Sequence, residues 1–409
     1  MSNPSSIIFV SDIHPEINHV SAQRVWNFAR QLALAGKKVT ILTQAKTDQS
    51  PPTQLHRFTE IAASHDWHLP LIITAHVPQK TFLSNAREGG LIWGVRQAAL
   101  AAAQFRPGGH FQDWFNAASS LFQAVSEHIR PDAVIGAFGN LGNWAIAQAL
   151  SAQCKCPWVG DLKDNWRVFS LPGFRHYNAY RFRNMAHMTT YSQTHAEIAA
   201  PFFSMETSVL YSGYHEIENS SSLTDVPPGF MFSGSLYGED KLRIILDGIA
   251  VWSERQEYSK SRRAVTLVYA GNEGAQLNAV AENFGDLFGV MDLGYLSPIN
   301  LMRAHRQAIC NFYIVNQNSL FQQKFFDLVA ADRPIISVPN ESDEAIGIAD
   351  AVGATYFGCD DPFDVAHSIE MALSTQGDGI NQEAIKAYSW TQQAAHLSHI
   401  LDRVTGASI

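Results

Sequence analysis

Lys324-Phe325-Phe326-Asp327-Leu328-Val329-Ala330-Ala331-Asp332-Arg333-Pro334 runs directly into Ile335-Ile336-Ser337-Val338-Pro339. The first half has helical periodicity. Phe321, Phe325, Leu328 and Asp332 share one face, and Lys324, Asp327 and Ala331 share another. Pro334 cannot continue a helix, and the short apolar run beyond it reads as a buried strand. Taken alone, a lysine and a carboxylate three residues apart are a solvated pair worth about 0.2–0.5 kcal/mol. Only the surrounding sequence can give that pair more meaning.

Working outward, strand and helix patterns alternate almost throughout, which predicts parallel sheets covered by helices. Strands are expected at 7–10, 39–43, 133–137, 158–160, 188–191 and 208–210. After a turn-rich stretch at 216–228 they resume at 230–233, 265–270, 290–293, 309–315, 334–338 and near 354–357. Helices are expected from Ser21 as N-cap to Gly36, at 91–104 and 113–129, from about 240, near 277, from 298 and at 320–331. The spacing predicts two doubly wound α/β domains in tandem with a cleft between them, ligands lying at the carboxyl ends of the strands.

Composition agrees with this and excludes other classes. A chain of 409 residues with 46% hydrophobic content can bury two sizeable cores, and 16% charged residues is too few for a disordered chain. Apolar runs are too short for a membrane span or a signal sequence, so a cytoplasmic protein is expected. Cys154, Cys156, Cys310 and Cys359 lack a zinc-ligand pattern, and the sixteen histidines form no metal motif. Residues 1–210 carry 17 Lys/Arg against 13 Asp/Glu, and the remainder carries 12 against 25. The basic half suits an anionic membrane surface or acceptor, so peripheral contact with the inner membrane face is compatible. Nucleic acid is disfavoured, because no basic stripe carries interleaved aromatics.

Six blocks carry a family resemblance. They are Val10-Ser11-Asp12-Ile13-His14-Pro15 with Ser21-Ala22-Gln23-Arg24; Pro157-Trp158-Val159-Gly160-Asp161-Leu162-Lys163-Asp164-Asn165-Trp166; Tyr211-Ser212-Gly213-Tyr214; Phe232-Ser233-Gly234-Ser235-Leu236-Tyr237 with Lys241; Gly294-Tyr295-Leu296-Ser297; and the 324–334 helix, followed later by Ala387-Tyr388-Ser389-Trp390. In order and spacing the chain resembles GT-B-fold glycosyltransferases of the large retaining family 4. The resemblance implies two Rossmann-like domains facing a cleft. Residues 1–215 would bind the acceptor, 216–391 would bind the nucleotide-sugar donor, and a helix at about 392–409 would return to the first domain.

The implied activity is transfer of a sugar, with retention, from a nucleotide diphosphate to a hydroxyl, without metal or cofactor. Polysaccharide, glycolipid or natural-product glycosylation is the implied setting. By the same resemblance Lys241 and Lys324 stabilise the leaving diphosphate. Gly234, Ser235, Tyr295, Leu296, Ser319 and Asp327 complete the donor site, and His14, Arg24, Asp161, Lys163, Asp164 and Trp166 form the acceptor side. The sequence departs from the family pattern at several points. Asn18-His19-Val20 stands where paired glycines are common, Ser235 replaces an arginine, Ser319 and Asp327 replace two glutamates, and Asp332 replaces a glycine. Ser319 with Gln322 also reads as a helix capping box. Two alternatives stay open: a catalytically silent GT-B protein that binds a sugar nucleotide or a partner, and a GT-B nucleotide-sugar epimerase.

Overall fold

The computed structural model describes residues 5–46, 57–78, 80–216, 223, 226–258, 265–316, 319–374 and 379–406. Most of the expected linker at 216–228 lies outside these residues. The chain divides into two compact units: Met1–Ser212 with Trp390–Ile409, and Gly213–Ser389. The sequence places those divisions a few residues later, at 215/216 and 391/392.

The first unit holds seven strands: β1 (Ser6–Val10), β2 (Lys38–Gln44), β3 (Leu71–Ala75), β4 (Ala133–Ala137), β5 (Trp158–Leu162), β6 (His187–Thr190) and β7 (Thr207–Val209). They pair in the order β3-β2-β1-β4-β5-β6-β7, all parallel. The chain leaves β1 toward β3 on one side and then crosses to β4 on the other, so the strand order reverses between β1 and β4. Alternation along β1 feeds both faces. Ile7 and Phe9 pack with Val25, Phe28 and Leu32, while Ile8 and Val10 pack with Leu42, Trp144 and Leu150.

The last helix, Trp390–Thr405, joins the first of these cores through Trp390, Ala394, Leu397 and Leu401. Trp390 meets Phe28 edge-on at 5.3 Å. On the other face an aromatic cluster forms around Trp144, which stacks on Trp166 at 5.8 Å and touches Phe138, Trp158, Phe182 and Phe203. Glycines make the slot. A Cβ at Gly136 would lie 2.9 Å from the Trp144 ring, and one at Gly160 would lie 2.4 Å from Met185.

The second unit holds β8 (Phe230–Ser233), β9 (Thr266–Ala270), β10 (Gly289–Asp292), β11 (Cys310–Ile314), β12 (Ile335–Val338) and β13 (Tyr356–Gly358), in the parallel order β10-β9-β8-β11-β12-β13. Here the order reverses between β8 and β11. Helix Glu239–Tyr258 crosses helix Pro362–Ser374 over the core built by Phe230, Phe232, Leu246, Ile249, Val365 and Ile369.

Local expectations fail in a few places. The strand Leu71–Ala75 is absent from the sequence prediction, and the predicted helix at 113–129 is two helices, Gln112–Ser119 and Phe122–His128. The first helix starts at Val20, not after Ser21. His19 is its N-cap, with Nδ1 accepting from the Ser21 N–H at 3.1 Å. The helix expected at 320–331 spans only Lys324–Ala330, so Ser319 and Gln322 form no capping box. The Ser319 hydroxyl donates to the Phe321 carbonyl, and the Gln322 side chain accepts from the Asn316 N–H. Asp332 takes the left-handed conformation, φ 56°, that ends the helix, and its carboxylate accepts from the Ile380 N–H.

Gly248 sits where the two long helices of the second unit cross. A Cβ there would lie 2.5 Å from Val365 and 2.9 Å from the Pro362 carbonyl. Gly248→Ala is expected to cost about 1–3 kcal/mol by overpacking, despite its better helix propensity. A urea melt showing a stabilised variant would contradict the crossing.

Candidate functional site

The carboxyl ends of β8, β9, β11 and β12 place one group of side chains together at the second unit's order reversal. Lys324, first residue of its helix, sends Nζ to within 3.5 Å of the Ser233 carbonyl at the end of β8. The same nitrogen lies 5.0 Å from the ring centres of Tyr237 and Tyr313 and 6.0 Å from Phe232. Among the described residues no carboxylate forms an ion pair with it. Burial among rings disfavours its charged form and pushes it down to about 7, against the attraction of Glu341 and Glu273.

Those two carboxylates have other work. Glu341 accepts from the Tyr313 phenol at 2.5 Å and from the Ser342 N–H. Glu273 accepts from the Leu236 N–H at 2.8 Å, clamping the turn after β8. Tyr269 supports the same turn, donating to the Gly234 carbonyl at 2.8 Å while accepting from the Glu273 N–H. Gly234 holds φ at 83°, a conformation that glycine adopts without penalty, and a Cβ there would sit 3.8 Å from Lys324 Nζ.

Ser233 is fixed from below by His305, whose Nε2 lies 3.1 Å from its hydroxyl and whose Nδ1 lies 2.7 Å from Asn311 Oδ1. Complete burial drives His305 down to about 4, so it is a neutral imidazole. Its Nδ1–H donates to Asn311 and its Nε2 accepts from Ser233, the assignment that the bonding pattern requires.

The other expected donor residues fall as follows. Ser235 is exposed and follows Gly234 in the turn. Lys241 lies in the first turn of helix Glu239–Tyr258, 3.8 Å from Asp240, and shares no bond with the Lys324 group among the described residues. Tyr295 is exposed, whereas Leu296 packs with Met231, Val268 and Ala304. Ser319 spends its hydroxyl on Phe321. Asp327 accepts a hydrogen bond from the His215 N–H, and burial nonetheless pushes its carboxyl up to about 7.

The first unit has a second polar group where its strand order reverses. Asp12, just past β1, accepts from the side-chain amides of Asn140 and Asn143, each at 2.8 Å. Lys163, just past β5, pairs with Asp164 at 2.5 Å. A Cβ at Gly139 would lie 3.5 Å from Lys163 Nζ and 3.7 Å from Asp12, so that glycine keeps the space between them open. His19 completes the group. Desolvation first, then Lys163, lowers its pKa, while Asp12 and Asp164 oppose the shift.

Arg24, Asp161 and Trp166 are built differently. Arg24 and Asp161 form a two-pronged buried ion pair at 2.9 and 2.7 Å. Arg24 also donates to the Leu210 carbonyl and to Ser212, and Thr189 donates to Asp161. Trp166 is fully buried in the aromatic cluster. These three hold the unit together. His14 is buried too, its Nδ1 accepting from the Glu16 N–H.

Sequence reasoning missed Tyr237, Glu273, His305, Tyr313 and Glu341, and gave no site role to Asp12, His19, Asn140 or Asn143. The available signal was position: polar or aromatic residues at or just beyond strand ends. Among the described residues no group of three or more His, Cys, Asp or Glu could hold a metal ion.

No family model matches the chain, and no curated protein matches it. Solved structures do match, at low identity. Anabaena HepE in complex with UDP and glucose is 12% identical with a TM-score of 0.63, covering 97% of this chain and 99% of that one. The α,α-trehalose 6-phosphate synthase from Burkholderia multivorans is 11% identical with a TM-score of 0.64, covering 99% and 98%. A Listeria monocytogenes protein assigned as a UDP-N-acetylglucosamine 2-epimerase is 11% identical with a TM-score of 0.60, covering 99% and 98%. At these identities the likeness establishes the fold: GT-B, with two parallel-sheet Rossmann-like units.

Two variants test the structural assignments. Arg24→Ala leaves Asp161 buried without its partner and is expected to cost about 3–5 kcal/mol in denaturant melts. A loss under about 1 kcal/mol would contradict the clamp. For Asp327 the folded pKa lies above the unfolded one, so the folded state holds the extra proton. The penalty for ionising it grows from about pH 4 to pH 7 and is complete above that. Asp327→Asn should therefore raise the melting temperature by about 2–4 °C near pH 8 and change it little near pH 4. The reverse pattern would show a carboxylate stabilised by its partners.

Proposed function

We propose that this chain is a glycosyltransferase that binds a nucleoside-diphosphate sugar on its second unit and transfers the sugar to a hydroxyl. The observation that carries this reading is Lys324: a partly buried ammonium with no ion-paired carboxylate among the described residues, at the order reversal of a parallel sheet. It lies beside a glycine turn whose Ser235, Tyr237 and Gly238 N–H groups bond to none of the described residues. A diphosphate supplies the missing negative charge. The solved structures of similar fold support the same ligand class, because HepE is seen with UDP and with UDP-glucose.

The chemistry follows from the charge. As the bond from sugar to phosphate breaks, negative charge builds on the leaving diphosphate. Lys324 and the turn amides stabilise it. Lys241 adds a second, more solvated cation. No side chain of the Lys324 group is placed as a dedicated base, which suits transfer with retention. The lysines take the role that a metal plays elsewhere. Asp327 is a poorer ribose ligand than the family pattern implies, since its carboxylate is held by His215. Tyr295, exposed just beyond the strand Gly289–Asp292, offers a ring on which the base could stack.

On the first unit Asp12, His19, Lys163 and Asp164 offer donors and acceptors for a hydroxyl-rich acceptor, in polysaccharide, glycolipid or natural-product glycosylation. The captured Asp327 and the committed Ser319 hydroxyl favour a second reading, a silent sugar-nucleotide binder. An epimerase would need an acid–base pair free to act on the sugar, and the two carboxylates of the Lys324 group already accept from the Leu236 N–H and the Tyr313 phenol.

A panel of UDP-, GDP-, dTDP- and CMP-sugars with candidate acceptors separates these readings. Release of nucleoside diphosphate that is lost in Lys324→Met supports transfer. Thermal stabilisation without turnover supports the silent binder, and no response to any nucleotide overturns both. The pH dependence has a definite sign. Above about pH 7 the empty site holds neutral Lys324, and a bound diphosphate restores the proton. Affinity should then fall about tenfold per pH unit from roughly pH 7.5 upward, with proton uptake seen by calorimetry in buffers of different ionisation heat. Lys324→Met should flatten that slope. An unchanged slope in the variant would remove Lys324 from the phosphate site.

A further inference from the structure

Lys324 has a property that charge pairing with a diphosphate leaves unused. Near neutral pH a large share of its amine is uncharged, because burial among rings pushes it down to about 7. A lysine desolvated in this way is a nucleophile. Its hydrogen bond to the Ser233 carbonyl uses a proton and leaves the nitrogen lone pair available. Beside the amine lies a turn built to hold an anion. Gly234, Tyr237 and Gly238 all have positive φ, at 83°, 49° and 113°. A tyrosine in that region is uncommon, and left-handed residues in a tight turn gather main-chain N–H groups into an anion-binding concavity. The Ser235, Tyr237 and Gly238 N–H groups bond to none of the described residues. A Cβ on Gly234 would lie 3.8 Å from Lys324 Nζ, so the turn and the amine adjoin.

A nucleophile adjoining a phosphate cradle selects a ligand in which an electrophilic carbon adjoins a phosphate. In an acyl phosphate the carbonyl carbon is one oxygen away from phosphorus. Phosphorylated aldehydes hold the two groups further apart. We propose that Lys324 is a modification site, acylated by small acyl phosphates whose phosphate docks on the 234–238 turn. The nitrogen lone pair attacks the carbonyl carbon. A C–N bond forms, and the bond from that carbon to the phosphate oxygen breaks. The oxygen keeps the bonding electrons and takes the proton that the amine gives up, so an amide and hydrogen phosphate result without further reactants. As nitrogen gains positive charge in the attack, the docked phosphate beside it stabilises that charge. The amide has no positive charge to offer a diphosphate, so acylation silences the donor site. This is the anion site of the transferase reading, on which the inference rests, but sugar transfer itself is not required.

Mass spectrometry of the full chain treated with low concentrations of acetyl phosphate tests it. A lysine in water is neutral in under about 1% of molecules at pH 8. Lys324 should therefore be acetylated at least about tenfold faster than exposed lysines such as Lys46 and Lys386. Its rate should rise with pH up to about 7 and level off by about pH 8, while the exposed lysines keep gaining. Glu273, Glu341, His305, Tyr237 and Tyr313 surround the amine. His305 is already neutral and burial raises Tyr237, so neither changes charge in that range. Inorganic pyrophosphate should slow the labelling of Lys324 at least about tenfold and leave the exposed lysines unchanged. Labelling no faster than at exposed lysines, or no protection by pyrophosphate, overturns the proposal. So does equal selectivity for Lys324 with p-nitrophenyl acetate, which has no phosphate to dock. A nucleotide response without Lys324 labelling removes this inference and leaves the transferase reading standing. Labelling without any nucleotide response supports the modification site and removes the transferase reading.

Discussion

An ammonium held among three aromatic rings, with no carboxylate bonded to it among the described residues, is the feature on which the second unit's chemistry depends. Lysine belongs in water, and taking it out of water costs more than a few ring contacts return. The protein lowers that cost in two ways. It lets the group shed its proton, and it gives the nitrogen one main-chain carbonyl, that of Ser233. The surrounding bonds then become intelligible. His305 and Asn311 hold Ser233, Tyr269 and Glu273 hold the Gly234–Leu236 turn, and Glu341 holds Tyr313. Each fixes a residue against which the lysine rests.

Parallel sheets explain why such a group arises here. Where the strand order reverses, the connections on either side part, and polar groups at the strand ends are left without neighbours to cover them. Both units show it. In the second the gap lies between β8 and β11 and holds Lys324. In the first it lies between β1 and β4 and holds Asp12, bonded to two asparagines from the turn and helix after β4. Beyond an apolar strand that runs into a serine, Ser11 or Ser233, the sequences at the two places differ. What they share is the topological position.

Much of this was legible in the chain before its fold. The β-strands announce themselves through short branched apolar runs, and the Lys324 segment through its helix, proline and strand. The misses have physical causes. Leu71–Ala75 lies in a stretch with His65, His68, Pro70, His76 and Pro78, residues that read as loop and hide its ends. His19 caps a helix through an imidazole, which propensity assigns to Ser21. Glu273 and Glu341 act through backbone amides and a phenol brought in by other strands, and no spacing in one sequence encodes such a meeting. Ser235 leaves the turn without the arginine of the family pattern, and Lys324, a lysine that pattern also has, is the cation that reaches it, 3.8 Å from where a Gly234 Cβ would lie.

The same limit appears within the Trp158–Trp166 motif, where Asp161, Lys163 and Asp164 are equally polar in sequence yet differ in kind. Asp161 lies inside the sheet at the end of β5, both oxygens taken by Arg24 and one shared with Thr189, with 8% of its side chain exposed. A ligand could reach it only by dismantling a pair whose separation leaves two charges buried. Lys163 is just beyond the strand, and Asp164 next to it is 25% exposed. An ammonium has three donors, so one carboxylate leaves two for an incoming hydroxyl. Gly139 across from it adds no side chain to block the approach. Two residues thus separate a charge that holds the sheet together from one that can bind a ligand, and saturation of hydrogen bonds, rather than residue type, tells them apart.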